Sequence, residues 1–338
     1  MTESDALPLA LTLGEPAGIC GEIACKAWLE LRDSGPAFVA LGDPAYFRET
    51  AAALDLGVPV EPVASVEEAK AVFSRALPAL GPALPASAVA GRPDGATARA
   101  VIESIEQAVR LTLDGRTGAV VTNPIHKTSL YAAGFSYPGH TEFLAELAGG
   151  ARPVMMLACD ELRVVPVTVH LSLGDAVRAL TREAIVACGR ITAAALERDF
   201  GIVRPRLAVA GLNPHAGESG HLGREEIEII GPAVEELRAA GIAVAGPFPA
   251  DSLFHAAARK RFDAALCMYH DQALIPLKTI DFDGGVNATL GLPFVRTSPD
   301  HGTAFDIAGQ GKANARSLVA ALRMAGAMAH HRAAAETA

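Results

Sequence analysis

The chain has 338 residues, of which 50% are hydrophobic, and a formal net charge of −9. This length can bury a large core and favours two domains, at about 150 residues per domain. The acidic balance argues against a nucleic-acid-binding protein, which would concentrate Lys and Arg. The N-terminal segment lacks the basic start of a signal peptide, and no apolar run approaches the ~20 residues of a membrane span. We therefore expect a cytoplasmic protein that binds neither nucleic acid nor membrane.

Six short apolar runs are predicted to form β-strands. They alternate with longer stretches of helical character, a rhythm that is typical of parallel strands joined by crossover helices. The runs are LALTL (9–13), FVAL (38–41), AVVT (119–122), VVPVTV (164–169), RLAVAG (206–211) and DAALCM (263–268). The pattern predicts an α/β fold.

Two segments between these runs, 96–115 and 224–241, carry apolar residues at three- and four-residue spacing and end at glycine. They are predicted to be amphipathic helices that cover a sheet. Segment 77–95 is rich in Pro, Gly and Ala and predicts an irregular connection. The Ala-rich C-terminal tail is predicted to end in a frayed helix. The five cysteines lack CxxC pairing, so we expect buried, reduced thiols.

A histidine follows three of the apolar runs, at His170, His215 and His270. In an open parallel sheet, side chains that come just after the strands converge on one crevice. Three neutral imidazoles there would suit Zn²⁺ or Co²⁺ and would leave coordination positions open for a substrate. Glu218 and Asp271 could orient the imidazoles or act on a substrate directly. The alternative for each histidine is a hydrogen-bonded polar residue in a loop.

The segment SYPGHTEFLAELAGG is predicted to be a turn that leads into a helix, with Thr141 as the N-cap. His140 and Thr141 would then lie at a helix N-terminus, which suits a phosphate group. Ordinary helix capping is the alternative. Further along, Lys278, Asn287 and Arg296 lie in a segment crowded with Gly, Pro and Asp. That composition favours a long functional loop whose charges point into a cleft.

The glycine-rich fingerprints of nucleotide-binding proteins, GxGxxG and GxxxxGK[ST], do not follow any predicted strand. The segment AGQGKAN (308–314) has two of the three Rossmann glycines. The residues by themselves therefore do not establish a nicotinamide cofactor. A metal-dependent hydrolase or aldolase acting on a phosphorylated substrate remains an alternative at this point.

A set of ordered motifs across residues 9–315 resembles the 4-hydroxythreonine-4-phosphate dehydrogenase family. The motifs are GEPAGI, TNPIHK, PGHTEF, VTVHLSL, LNPHAGE with a following EE, FPADSLF, MYHDQALIPLK and VNATLGLPFVRTSPDHGTAFDIAGQGKA. The chain departs from the commonest family pattern at Cys20 and Gly21, where a glycine-proline pair is usual. It also departs at Asn123, where many members have glycine.

The resemblance implies two α/β/α domains flanking a cleft, as in isocitrate and isopropylmalate dehydrogenases, and NAD or NADP bound without a Rossmann fingerprint. We predict that residues 1–130 and 285–338 form the first domain. Residues 131–284 would form the second, with the metal ligands and dimer contacts. The resemblance also implies a homodimer whose active sites lie at the subunit interface, with metal ligands from both subunits.

The resemblance further assigns residue roles. The implied ligands of a divalent metal (Zn, Mg or Co) are His170, His215 and His270. The implied substrate-binding residues are His140, Thr141, Lys278, Asn287 and Arg296. The implied catalytic residues are Lys278, Asp271 and Asp251.

The activity implied is NAD(P)-dependent oxidation of 4-phosphooxy-L-threonine at its C3 hydroxyl. The product, 2-amino-3-oxo-4-(phosphooxy)butanoate, decarboxylates to 3-amino-2-oxopropyl phosphate during biosynthesis of pyridoxine 5'-phosphate. Related dehydrogenases act on four-carbon phosphorylated sugar acids such as threonate or erythronate 4-phosphate, which are alternative substrates. A non-redox, metal-dependent lyase or hydrolase is a further alternative.

Overall fold

A computed structural model describes residues 6–337 of the chain. The described chain divides into two compact units. Unit 1 contains the residues up to Pro153 together with Leu292–His330, and unit 2 contains Val154–Gly291 with the residues from His331 onward. The sequence placed the boundaries after residues 130 and 284. Segment 131–153 belongs to unit 1 instead, where the helix His140–Leu147 packs against an earlier helix, and residues 285–291 and 331–337 belong to unit 2.

The strands of the described chain are short, and each of the six predicted runs contains or overlaps one. Their bounds are β1 (Leu9–Thr12), β2 (Phe38–Leu41), β3 (Val60–Pro62), β4 (Leu77–Ala79), β5 (Val120–Val121), β6 (Val154–Cys159), β7 (Leu162–Pro166), β8 (Arg206–Ala210), β9 (Ala243–Phe248), β10 (Ala264–Cys267), β11 (Val286–Leu290) and β12 (Arg296–Pro299).

The helices include the two predicted from amphipathic spacing. The α-helices are α1 (Cys20–Leu31), α2 (Pro44–Ala53), α3 (Val66–Phe73), α4 (Ala98–Leu113), α5 (Lys127–Ala132), α6 (His140–Leu147), α7 (Leu173–Ala179), α8 (Arg182–Arg198), α9 (Gly231–Ala239), α10 (Ala256–Arg259), α11 (His270–Ile280) and α12 (Arg316–Glu336). A π-helical turn, Glu226–Ile230, precedes α9. Within residues 6–337, no helix combines the length and the hydropathy needed to cross a membrane.

The sheet of unit 1 has the strand order β3-β4-β2-β1-β5-β12. Every neighbouring pair in it is parallel. All residues of β1 and β2 are buried. Parallel strands covered by helices on both faces show continuous apolar runs in this way. Because both faces of these strands are buried, their sequences are continuously apolar, and β1 and β2 could be predicted from the sequence.

The sheet of unit 2 has the strand order β11-β6-β7-β10-β8-β9. Strands β7, β10, β8 and β9 are parallel, whereas β6 is antiparallel to both β7 and β11. The expectation of parallel strands holds for β7, β10 and β8, whereas β6 and β11 are not among the predicted runs. Only Asp160 and Glu161 separate β6 from β7, and so short a connection can only join antiparallel strands.

One further expectation from the sequence needs correction. The segment after His270 is not one long loop, because it contains α11, β11 and β12, which carry Lys278, Asn287 and Arg296 respectively. The helix predicted for the C-terminal tail extends to Glu336. Within unit 2, the tail's Arg332 donates hydrogen bonds of 2.8 and 2.9 Å to the buried Asp199. The five cysteines are buried, as expected.

Candidate active site

The three histidines predicted to bind metal follow three neighbouring strands of unit 2. Strands β7, β10 and β8 lie side by side and run parallel, and they precede His170, His270 and His215 respectively. The carboxyl ends of parallel strands lie at the same edge of a sheet. The three imidazoles therefore belong to one edge of the unit 2 sheet, although they are far apart in sequence.

Two of these imidazoles lie close together. The ring centroids of His170 and His270 are 6.0 Å apart. Rings that bind one ion tetrahedrally through nitrogens about 2.1 Å away have centroids roughly 5 Å apart, so the two rings lie within about 1 Å of the spacing for a shared ion. The Nδ1 atom of His270 is 2.7 Å from an Asp271 carboxylate oxygen. Because an ionised carboxylate only accepts hydrogen bonds, Nδ1 carries the proton, and the lone pair of Nε2 is available to a metal.

The third histidine lies on a left-handed turn. His215 has φ 51°, and the next four residues, Ala216 to Ser219, also have positive φ. Left-handed backbone costs about 1–2 kcal/mol for each residue other than glycine, so neighbouring groups must hold this turn. Across residues 6–337, no three His, Cys, Asp or Glu side chains form a group placed to hold a metal ion. The complete histidine triad therefore stays a prediction.

The carboxylate of Glu226 holds the start of the left-handed turn. Its Oε1 accepts hydrogen bonds from the backbone N–H groups of Leu212 and Asn213, each 2.8 Å long. Its Oε2 accepts a bond of 2.9 Å from the amide of Asn213, which also donates to Glu225. Glu226 is 5% exposed and lies in the π-helical turn. Glu226 belongs to the EE pair that follows the LNPHAGE motif, but nothing in the sequence predicts this role.

Replacing Glu226 by alanine should destabilise the protein, because three donors lose their acceptor in a buried site. We expect a loss of about 1–3 kcal/mol in the free energy of unfolding, measured by urea denaturation. Glu228→Ala is the matched control, since Glu228 is exposed in the same turn and pairs with Arg224 on the surface. Equal losses in both variants would contradict a special role for Glu226.

Further hydrogen bonds join the loops that follow the three strands. Thr168 donates through Oγ1 to the carbonyl of Met268 at 2.8 Å. The buried Gln272 accepts from the N–H of Met268 at 2.6 Å and donates to the carbonyl of Gly211 at 2.7 Å. These bonds connect the loops after β7, β10 and β8. Thr168 and Gln272 lie within the quoted motifs, which is the signal by which they could have been found.

The remaining predicted residues of unit 2 occupy separate elements. Asp251 is exposed in a 3-10 turn after β9, and Asn287 is partly buried on β11. Lys278 lies two turns after His270 on α11, about 12 Å along the helix axis. Its Nζ is 5.8 Å from the ring centroid of Phe282. The structure therefore places Asp271 in contact with His270, a predicted metal ligand, whereas Lys278 lies two turns further along the helix.

A cationic site lies in unit 1, built from α6, β12 and the start of α5. Arg296 is 3% exposed and donates to Thr122 Oγ1 at 2.6 Å. Burial lowers the pKa of Arg296 to about 10, so the guanidinium stays charged at neutral pH. Burial, followed by the charges of Arg296 and Lys127, lowers the pKa of His140 well below its usual value. A charged guanidinium beside a neutral imidazole makes a site for a small anion.

The surroundings of His140 support a ligand-binding role. The ring is partly exposed, but its Nε2 is buried and has no hydrogen-bond partner within the described chain. His140 is the first residue of α6, as predicted, and Thr141 is the second. The expectation that Thr141 is the N-cap is wrong, because Gly139 occupies that position. Lys127 was not predicted as a site residue, although it belongs to the TNPIHK motif.

The low pKa of His140 gives the stability a pH dependence. Below about pH 6.5 the unfolded chain takes up a proton at this imidazole that the folded chain does not bind. Above that pH the imidazole is neutral in both states and does not lower the free energy of unfolding. The free energy of unfolding then decreases as the pH falls toward the folded-state pKa. We expect the wild type to lose stability relative to His140→Gln as pH falls from 7 to 5 in urea denaturation. The exposed His221→Gln is the control, and parallel curves for wild type and His140→Gln would contradict the prediction.

The two departures from the family motif meet at Gly14, in the GEPAG turn. Gly14 has φ 68°, and a Cβ at this position would lie 2.5 Å from Asn123 Cβ and 2.7 Å from Cys20 Sγ. Asn123 also donates to the carbonyl of Thr12 at 2.9 Å. Gly14 is therefore required both by its backbone conformation and by close packing. The two unusual side chains fill the space beside one turn.

Strand-end imidazoles and a buried guanidinium near a neutral imidazole are side chains from which enzyme active sites are built. The family model of the pyridoxal phosphate biosynthetic protein PdxA matches residues 34–325. The chain belongs to this family, which confirms the family predicted from the motifs.

The chain is similar to individual relatives over nearly its whole length. The chain is 56% identical to the 4-hydroxythreonine-4-phosphate dehydrogenase of Bradyrhizobium diazoefficiens, over 97% of this chain and 99% of the relative. It superposes on the crystal structure of 4-hydroxythreonine-4-phosphate dehydrogenase from Klebsiella pneumoniae with a TM-score of 0.86 and 37% identity, covering 96% and 98% of the two chains. A terephthalate 1,2-cis-dihydrodiol dehydrogenase from Burkholderia xenovorans is less similar, with a TM-score of 0.66, 29% identity and coverage of 95% and 98%.

Proposed function

We propose that this protein is an NAD(P)- and divalent-metal-dependent dehydrogenase that oxidises 4-phosphooxy-L-threonine at its C3 hydroxyl. The product, 2-amino-3-oxo-4-(phosphooxy)butanoate, is a β-keto acid and loses CO₂ to give 3-amino-2-oxopropyl phosphate. The observation that carries the proposal is the identity of 56% over 97% of this chain to a relative of that name. The lower similarity to the dihydrodiol dehydrogenase favours a phosphorylated substrate.

The cationic site of unit 1 supports a phosphorylated substrate. Arg296 can bind a phosphate through two N–H groups, and the uncapped N-terminus of α6 presents further donors. His140 is neutral at pH 7 and contributes a hydrogen bond rather than a charge. Lys127 adds positive charge beside His140. We assign the phosphate group of the substrate to this site.

The metal is assigned to the three histidines at the strand ends of unit 2. The spacing of His170 and His270 fits two ligands of one ion, and imidazole nitrogens suit Zn²⁺ or Co²⁺. When bound, a divalent cation supplies polarisation of the substrate's hydroxyl or carbonyl oxygen. Asp271 holds the tautomer of His270 and is therefore assigned a positioning role. Lys278 and Asp251 remain the candidates for the group that accepts the hydroxyl proton.

A second copy of the chain is proposed to complete the site. Exposed apolar side chains follow each predicted metal ligand in the sequence. They are Leu171 and Leu173 after His170, Leu222 and Ile227 after His215, and Ile275 after His270. Exposed apolar side chains that form a contiguous patch are typical of a surface covered by a partner. In a homodimer this surface would become buried, and the partner could supply the ligands that one chain does not bring together.

Mixing two inactive variants tests the proposed dimer. We expect that His215→Ala and Arg296→Ala, which should each have little activity alone at limiting substrate, restore part of the activity under that condition when they are unfolded and refolded together. Each variant refolded alone is the control. A fully active monomer in sedimentation velocity would contradict the dimer proposal.

The activity itself is tested by absorbance at 340 nm. Purified protein, a divalent metal and 4-phosphooxy-L-threonine should produce reduced cofactor with NAD⁺ or NADP⁺. Threonate and erythronate 4-phosphate are tested in parallel, and faster turnover of either would reassign the substrate. Consumption of substrate without any change at 340 nm would instead indicate a non-redox lyase or hydrolase and would refute the dehydrogenase proposal.

A further inference from the structure

A buried glutamine joins two of the loops that carry the predicted metal ligands. Gln272 lies in the first turn of α11, shortly after His270, and is 8% exposed. Its Oε1 accepts from the N–H of Met268 at 2.6 Å, and its Nε2 donates to the carbonyl of Gly211 at 2.7 Å. Met268 belongs to the loop of His270, and Gly211 follows β8 in the loop of His215. Both ends of one side-chain amide therefore hold backbone, each in a different loop.

Gly211 passes this anchor on to the left-handed turn of His215. A Cβ atom on Gly211 would lie 3.1 Å from both the Cα and the Cβ of Ala216, the residue that follows His215. The backbone of Gly211 therefore packs against the turn so closely that a side chain would not fit between them. Because the two segments are in contact, a displacement of Gly211 would also displace His215.

Thr168 links the third loop to the same point. It is 7% exposed and donates through Oγ1 to the carbonyl of Met268 at 2.8 Å, two positions before His170. Met268, which is 1% exposed, is thus held through its carbonyl by Thr168 and through its N–H by Gln272. Buried polar networks whose members are hydrogen-bonded fix a single geometry. The three histidine loops therefore share one rigid framework inside unit 2.

The polar character of Gln272 is informative in itself. Burial of a side-chain amide is unfavourable unless both its oxygen and its nitrogen are hydrogen-bonded. An apolar side chain could fill the same interior without that requirement, but it would hold neither Met268 nor Gly211. The two bonds that Gln272 makes are therefore what distinguishes it from ordinary core packing.

We propose that Gln272, together with Thr168, is a positioning residue for the metal, which fixes the spacing of the three histidine loops before an ion binds. The inference rests on the proposed function, because it deepens the assignment of the metal to these histidines. Gln272 acts through the backbone and is not itself a ligand. Residues that orient metal ligands typically contribute about 10–100-fold to metal affinity, since ligands already in place lose little freedom on binding.

The test is titration of the metal-free, full-length protein with Zn²⁺ in competition with a chromophoric chelator. Gln272→Met keeps an unbranched side chain of similar length and removes both hydrogen bonds. We expect this variant to bind Zn²⁺ at least roughly tenfold more weakly than the wild type. The visible absorption of bound Co²⁺ gives a second readout, because it depends on the arrangement of the ligands. At saturating Co²⁺, the spectrum of Gln272→Met should differ from that of the wild type.

Ile185→Ala is the control for a loss of stability alone. Ile185 is fully buried in α8 and does not belong to the core cluster to which α11 contributes. Its truncation leaves a cavity and should lower the urea midpoint of unfolding, as Gln272→Met also should. We expect Ile185→Ala to retain the Zn²⁺ affinity and the Co²⁺ spectrum of the wild type.

Thr168→Val is the second test variant, because valine has nearly the same shape as threonine and only the bond to Met268 is lost. It should weaken Zn²⁺ binding by a smaller factor than Gln272→Met does. If Gln272→Met does not fold, Thr168→Val decides the test.

Three outcomes would contradict the inference. If His215→Ala loses Zn²⁺ while Gln272→Met and Thr168→Val bind it as tightly as the wild type, the positioning role is wrong and the metal assignment stands. Equal weakening in Ile185→Ala would show that reduced stability alone accounts for the effect. If the wild type binds neither Zn²⁺ nor Co²⁺, both the inference and the proposed metal dependence are overturned.

Discussion

Replacing His215 by alanine is expected to remove the bound divalent metal and, with it, the activity. The variant loses one of three proposed ligands, and even residues that only orient a ligand typically contribute about 10–100-fold to metal affinity. We therefore expect a loss of affinity greater than 100-fold. Elemental analysis of the purified protein and titration with Zn²⁺ measure the effect, and circular dichroism checks that the variant is folded.

The matched control is His221→Ala, an exposed histidine in the same loop. It should retain the metal content and turnover of the wild type. His215 also lies on a left-handed turn, so its replacement changes a strained backbone position as well as a ligand. Full metal occupancy with unaltered turnover in His215→Ala would show that this imidazole is not a ligand.

Arg296→Ala should weaken binding of the phosphorylated substrate far more than binding of the nicotinamide cofactor. Loss of a charge-assisted contact in a buried site costs about 1.5–3 kcal/mol, or roughly 10- to 150-fold in affinity. Arg296 is 3% exposed and donates to Thr122, so the substitution should also lower the melting temperature. Titration of wild type and variant with substrate and with NAD⁺ separates the effects on the two ligands.

Thr122→Val is the control for the structural part of this effect. It keeps the guanidinium but removes the Thr122 hydroxyl to which Arg296 donates at 2.6 Å. We expect a smaller loss of substrate affinity than in Arg296→Ala. If both variants lose the same affinity for substrate and for NAD⁺, Arg296 supports the fold of unit 1 rather than the phosphate.

The sequence was informative where burial imposes a simple pattern. Strands such as β2 and β10 are buried along their whole length, so an unbroken apolar run marks them. The same reasoning missed β3 and β4, which have three residues each and contain proline. So short a strand has no periodicity to detect, and its place at the edge of the unit 1 sheet depends on pairing with distant residues.

In the candidate site, too, some features could be predicted from the sequence and others depend on the folded chain. The strand-end positions of His170, His215 and His270 follow from sequence, because each imidazole comes after an apolar run that must be a strand. The left-handed turn at His215 has no sequence signature, since residues other than glycine rarely adopt it. Its support by Glu226 depends on hydrogen bonds that only the folded chain brings together.

The sequence by itself determined the family, the α/β class and the strand ends that carry the histidines. Local burial and ordered motifs are enough for these features. Only the tertiary structure decided which strands are neighbours, that β6 is antiparallel, and that Arg296 and His140 share one buried environment. These features depend on contacts between segments far apart in the chain, whose geometry is fixed only when the sheets and helices pack.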